Sequence, residues 1–268
     1  MNSCSFCFES YGVSVAIEAD SKSLIDLAEK TARSALLGNL NEIDRLRVEQ
    51  IFEIRLLSNG ECTIIQNGES MATGEPDFKF WKYFNSLIRI LVAEYCPSLV
   101  FVHAGVVGWR GKTLVFPGDS FAGKTTLVAE LIKNGAEYYS DEYALFDADG
   151  LVHPFARPLS LRTDGKNIDE KSIRVEDLGG KAALVPKPVG CVLFTKYNPK
   201  GEWDPQILSP GRGVMEVFMQ TIAIRRNTEF AINILKNAFT SAIILKSERS
   251  DAVKFIPEFL EFVDNTAF

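Results

Sequence analysis

Apolar and polar positions along the 268-residue chain switch repeatedly between a period of two and a period near 3.6. Residues 5–18 alternate and predict one or two strands. Ser21-Lys-Ser-Leu-Ile-Asp opens a helical pattern reaching about Leu37, with Ser21 or Ser23 as N-cap. Asn59-Gly60 between IFEIRLL and ECTIIQ predicts a two-residue hairpin, and Asn67-Gly68 a further turn. Residues 77–95 form an amphipathic helix stopped by Pro97, with Phe80, Tyr83, Phe84 and Leu87 as its core stripe. This first third predicts a small α+β unit over residues 1–97, and no motif in it translates into chemistry.

From residue 98 the pattern changes. LVFVHAGVV predicts a strand, Gly108-Trp-Arg-Gly111 a turn, and KTLVF the returning strand. Glu137-Tyr-Tyr-Ser-Asp141 predicts a short strand ending in acid. ALFD and LVHPF flank the turn Asp147-Ala-Asp-Gly150. Residues 163–187 are polar and lysine-rich and predict an excursion or a mobile loop. GCVLFTKY predicts a buried strand, followed by helices near 212–224 and 228–240, a strand at 241–247 and a closing helix at 250–263. Residues 98–268 are thus expected to form one α/β domain with a mixed sheet.

Between the returning strand and the next helix lies PGDSFAGKTT, which fits G-x-x-x-x-G-K-[ST] through Gly118, Gly123, Lys124 and Thr125. Four fixed positions match by chance in roughly one chain in a hundred of this length, so context must decide. The context is strand, loop, helix: Thr113-Leu-Val-Phe116 precedes the loop, and Leu127, Val128, Leu131 and Ile132 follow at helical spacing before Asn134-Gly135. In such a loop the backbone N–H groups and the helix N-terminus face an anion. Residues Gly118, Asp119, Ser120, Phe121, Ala122, Gly123, Lys124, Thr125 and Thr126 are the expected nucleotide cradle. Lys124 would lie against the β- and γ-phosphates, and the Thr125 hydroxyl would join a Mg²⁺ shell.

Composition narrows the rest. Hydrophobic residues make up 46% and charged ones 24%, ordinary for a soluble globular chain. The net charge of -6 gives no electrostatic reason to expect nucleic acid or an anionic membrane as partner. The N-terminus lacks the basic and apolar regions of a signal peptide, and no apolar run approaches 18 residues. Five dispersed cysteines suit a reducing cytoplasm, the expected location. Cys4-x-x-Cys7 resembles half a zinc site, but only His103 and His153 could supply imidazoles, so these cysteines are expected to be strand residues.

Three features occur together. His103-Ala-Gly-Val-Val begins a hairpin fifteen residues before Gly118, the loop itself reads Gly-Asp-Ser, and Ser140-Asp-Glu142 places Asp141 seventeen residues after Lys124. This resembles the catalytic domain of HPr kinase/phosphorylase, whose fold is related to that of phosphoenolpyruvate carboxykinase. The resemblance covers residues 98–160 best. It implies a P-loop kinase domain using ATP and Mg²⁺, with phosphate passing to the hydroxyl of a peptide, a protein or a free amino acid. The resembled enzymes form rings, and the sequence leaves the oligomeric state open, a homo-oligomer being one outcome. The chain departs from the family at Phe121, usually glycine, and at Glu142, usually aspartate. Ser172-Ile-Arg-Val-Glu-Asp-Leu-Gly is a poor imitation of the family's Glu-Ile-Arg-Gly signature. Shorter relatives, kinases for free serine or a peptide serine, look closer.

The resemblance carries roles to particular residues. Asp141 would take the acceptor's proton or hold the metal, with Glu142 as a further metal or water ligand. His103 would sit near Asp141 and tune it. Arg157 and Arg162 are candidates for holding a transferred phosphoryl group or an acidic acceptor. His153 reads as structural. A second reading is a nucleotide-binding regulator of the same fold with little catalysis, marked by Phe121 and Glu142. Carboxykinase chemistry is a third, weakened by the scarcity of histidine.

Overall fold

A computed structural model describes residues 4–119, 123–162 and 170–266, without the side chains of residues 161, 162, 170, 171 and 225. The chain divides into two compact units, Met1–Ser98 and Leu99–Phe268.

The first unit contains β1 (Cys4–Ser10), β2 (Val13–Ala19), α1 (Lys22–Ala35), β3 (Asn41–Glu42), β4 (Gln50–Leu56), β5 (Cys62–Gln66), β6 (Glu69–Gly74) and α2 (Phe78–Tyr95). Its six strands form one mixed sheet in the order β3-β1-β2-β4-β5-β6, with β2 and β4 parallel across the α1 crossover. Ser21 and Asp77 cap the two helices, accepting from the N–H groups of Leu24 and Phe80. Phe80, Phe84 and Leu87 of α2 are buried, and Phe84 meets Phe52 edge-on at 5.3 Å. Tyr83 is exposed, a correction to the expected core stripe: it lies off the stripe that faces the sheet. The hairpins also differ in kind. Asn67-Gly68 is the two-residue turn, with both residues at positive φ, joining Gln66 to Glu69. At Asn59-Gly60 only the glycine is left-handed, and the Leu57 N–H reaches the Glu61 carbonyl around a longer loop.

The second unit contains β7 (Val100–Trp109), β8 (Lys112–Pro117), α3 (Lys124–Lys133), β9 (Glu137–Ser140), β10 (Tyr143–Phe146), β11 (Leu151–His153), β12 (Leu159–Arg162), β13 (Glu170–Ile173), β14 (Lys187–Tyr197), β15 (Gln206–Leu208), α4 (Pro210–Val217), α5 (Thr228–Phe239), β16 (Ile243–Arg249) and α6 (Ala252–Asn265). Its eight-stranded sheet runs β11-β10-β7-β8-β14-β16-β15, with β9 also on β7. The strands β8, β14 and β16 are parallel, and the others are antiparallel to their neighbours. Alternate residues serve opposite faces. Val106, Val115 and Val192 pack with α4 and α5, whereas Val107, Leu114, Leu193 and Phe116 pack with α3 and α6. Leu127, Val128, Leu131 and Ile132 are the buried stripe of α3, each worth about 1.5–3 kcal/mol when fully buried.

Several expectations need correction here. Gly108 and Trp109 belong to β7, and the turn is Arg110-Gly111 alone, both at positive φ. The helix expected over 212–224 stops at Val217 and continues as two 3₁₀ turns, Phe218–Gln220 and Ile222–Arg225. Within the described part of residues 163–187, β13 pairs with β12, and Val175–Leu178 forms a 3₁₀ turn. Strand β15 pairs antiparallel with β16 where the sequence showed no strand pattern. Among the described residues, no helix is long and apolar enough to cross a membrane.

Candidate functional site

Strand β7 templates the site. Its first half pairs with β10 and its second half with β9, so the Asp141-Glu142 turn between them faces Ala104 and Gly105. The Ala104 N–H donates to the Glu142 carbonyl at 3.1 Å. The Ser140 hydroxyl accepts from the N–H groups of Glu142 and Tyr143, at 3.0 and 2.9 Å, and holds the turn closed. Gly105 is required beneath it: a Cβ there would lie 2.7 Å from Val128 of α3. The same strand fixes the start of the loop, because the Gly118 N–H donates to the His103 carbonyl at 3.3 Å.

The far end of the loop is set by Gly123, the N-cap of α3, with φ of 77° and no side-chain cap on the helix. Lys124 is 8% exposed, and its ammonium donates to the carbonyls of Gly118 and Asp119 at 2.8 and 2.7 Å. Burial lowers its pKa to about 8, against the opposing pull of Asp119, Asp141 and Glu142. Thr126 is exposed on the first helical turn. Ser120, Phe121 and Ala122 lie outside the described residues.

Thr125 and Asp141 meet. The Thr125 hydroxyl donates to Asp141 Oδ2 at 3.0 Å, while the Tyr138 hydroxyl lies 2.9 Å from Asp141 Oδ1 and 2.8 Å from the Arg157 carbonyl. Burial pushes the Asp141 carboxyl above the ordinary aspartate range, and hydrogen bonds from Tyr138, Thr125 and the Ser160 N–H only partly offset this. Glu142 points to Arg157, whose Nε lies 3.4 Å from Oε2. His103 stands opposite Tyr143, the two rings edge-on at 5.8 Å. The Arg162 side chain lies outside the described residues. His153 joins Asp147 at 2.6 Å, away from this cluster.

The donor set around Thr125 and Asp141 fits Mg²⁺. Magnesium accepts one or two carboxylates with phosphate and water completing its shell. Among the described residues there is no group of three or more metal-binding side chains.

Two participants left no signal in the sequence. Tyr138 sits in a strand pattern that reads as core. Arg249, 3% exposed, ends β16, lies 5.4 Å over the Tyr197 ring and donates to the Gly123 carbonyl at 3.3 Å. Only the parallel register of β14 and β16, pairing Tyr197 with Arg249, brings it to the loop. Beside the loop, at the carboxyl ends of β8, β14 and β16, a cavity of about 710 Å³ is bordered by Gly118, Asp119, Thr195, Gln220 and Ser247. Such crevices are where open α/β sheets take ligands.

No family model matches the chain, and no curated protein matches it. Among solved structures, the HPr(Ser) kinase/phosphatase from Coxiella burnetii is similar over 61% of this chain and 93% of that chain, at 14% identity and a TM-score of 0.29. A likeness that slight assigns neither family nor activity.

Proposed function

We propose that the chain is an ATP- and Mg²⁺-dependent kinase of the P-loop type that phosphorylates a hydroxyl group. The observation that carries this reading is the Thr125–Asp141 hydrogen bond of 3.0 Å. It joins the hydroxyl expected at a nucleotide-bound metal to a buried acid from another strand, next to a lysine held at a loop–helix junction.

Each residue has a part in this reading. The N–H groups at the start of α3 and the Lys124 ammonium bind and orient the phosphates. Lys124 must first release the carbonyls of Gly118 and Asp119, which it holds like a placeholder for phosphate oxygens. Thr125 Oγ1 would join the shell of the metal, which when bound would neutralise charge on the β- and γ-phosphates. Asp141 accepts the acceptor's proton, and its raised pKa makes it a stronger base than a solvated aspartate. Tyr138 and the Ser160 N–H fix that carboxylate in place. Arg157 restrains Glu142 near the same centre. The acceptor is a serine-type hydroxyl of a peptide, a protein or a small molecule.

A nucleotide-binding regulator is the second reading, favoured by the inward position of Lys124. Calorimetry with Mg·ATP separates the possibilities when paired with transfer of labelled γ-phosphate. Micromolar binding that is lost in Lys124→Ala, together with transfer that is lost in Asp141→Asn, is the expected result. Binding without transfer favours the regulator, and absence of binding overturns both.

A further inference from the structure

The cavity beside the loop has a composition unlike a nucleotide pocket. Five acids line it: Asp119, Glu202, Asp204, Glu216 and Glu248. Two lysines oppose them, Lys196 and Lys246, and Lys246 is already paired with Glu216 at 2.8 Å. Glu248 accepts from Asn198 at 2.6 Å, and Asp119 from Gln220 at 3.5 Å. Among the described residues, Glu202 and Asp204 have no ion-pair partner. Two further lining oxygens, Thr195 Oγ1 and Gln220 Oε1, are buried without a hydrogen-bond partner among those residues. Buried polar atoms of this kind are uncommon and ask for a partner.

An anionic nucleotide is poorly matched to this lining, and adenine finds only one aromatic wall, Phe194. A cation with hydrogen-bonding groups is well matched. The cavity is also placed for an acceptor. Its edge is Gly118 and Asp119, whose carbonyls hold the Lys124 ammonium. Size argues against a free amino acid: about 710 Å³ lies within the ~300–1,000 Å³ that encloses a drug-sized ligand.

We infer that this cavity is the acceptor subsite and that it takes a peptide segment carrying a lysine or arginine close to the phosphorylated serine or threonine. The inference rests on the kinase reading. Glu202 and Asp204 would pair the basic side chain. In the reaction, the hydroxyl oxygen bonds to the γ-phosphorus of ATP and the bond from that phosphorus to the bridging oxygen of ADP breaks. The hydroxyl proton passes to Asp141.

The test uses the full chain, Mg²⁺, labelled ATP and a serine-centred peptide library in which each flanking position is varied in turn. Lysine or arginine should be selected over glutamate by about fivefold at one or more positions, the upper end for one solvent-exposed charge pair. Glu202 and Asp204 are exposed, so the Glu202→Gln/Asp204→Asn double variant should fold, as its melting curve would verify. It should reduce the selection below about twofold while binding Mg·ATP with wild-type affinity. Selection of acidic residues, absence of selection, or labelling of free serine in place of every peptide would overturn the inference. So would binding of Mg·ATP with no peptide labelled. If Mg·ATP fails to bind in the parallel calorimetry, the kinase reading itself has failed and the inference falls with it.

Discussion

The Thr125 hydroxyl donates to Asp141 Oδ2 across 3.0 Å, joining the first turn of α3 to the end of β9. The link spans 16 residues of sequence, yet it arises because β7 holds both partners in register: β8 and the loop on one edge, β9 and β10 on the other. The site is therefore built on strands, and the loop only completes it.

Asp141→Asn should separate chemistry from stability. Transfer should fall by about 10²–10⁴ while Mg·ATP affinity changes little, since the substitution removes the base and keeps the shape. The folded-state pKa of Asp141 is raised, so its ionised form costs stability. That sets the sign: the wild type is favoured below the unfolded pKa of aspartate, and the advantage is lost as pH rises through the folded value. At pH 8 the variant should thus melt at or above the wild-type temperature, and at pH 4 it should lose that advantage. Normal turnover by the variant would remove Asp141 from the mechanism.

Lys124 predicts a pH dependence of nucleotide binding. Its pKa of about 8 in the ligand-free chain means that binding must take up a proton above that pH. Mg·ATP affinity should be flat near pH 7 and fall roughly tenfold per unit above pH 8. Ligand-free stability should move the other way, rising between pH 8 and the ordinary lysine value, because the unfolded chain binds the extra proton there. Calorimetry and thermal melts across pH 7–10, with Lys124→Met as reference, read both slopes. A wild-type affinity that does not change up to pH 10 would show that the ammonium does not hold phosphate.

Gly123 and Arg249 should be coupled. Alanine at position 123 meets a left-handed backbone, costing about 1–2 kcal/mol, and its Cβ would stand 2.5 Å from Arg249 Nη2. Gly123→Ala should therefore destabilise by more than the backbone cost alone. In the Gly123→Ala/Arg249→Ala double variant the steric part should vanish, leaving a coupling of about 0.5–3 kcal/mol in a denaturation cycle. Strict additivity would mean that Arg249 does not brace the loop.

The parts legible in the sequence are those decided locally. Ser21 caps its helix through its own side chain, Asn67-Gly68 turns through its own backbone, and the strand–loop–helix order around Lys124 follows from hydrophobic period alone. The parts that were not legible depend on register between distant segments. Nothing near Arg249 says that it reaches Gly123; the pairing of β14 with β16 says so. Tyr138 reads as one more apolar strand residue until Asp141 folds back beside it. The helix after Ser209 reads as longer than it is because the 3₁₀ turns that follow keep an apolar spacing, and Thr221 bonds back to the Val217 carbonyl at 3.0 Å.

Tyr138 offers the sharpest test of the proton path. Its single hydroxyl proton lies within reach of two acceptors, Asp141 Oδ1 at 2.9 Å and the Arg157 carbonyl at 2.8 Å. Donation to Asp141 favours the ionised carboxylate and opposes the upward push of burial. Tyr138→Phe removes that donor, so the Asp141 pKa should climb further. The acid limb of kcat, measured for phosphate transfer, should therefore move to higher pH. A merely structural loss would lower kcat at every pH without moving the limb. A limb that stays in place would assign the transferred proton to a group other than Asp141, even if the variant were slow.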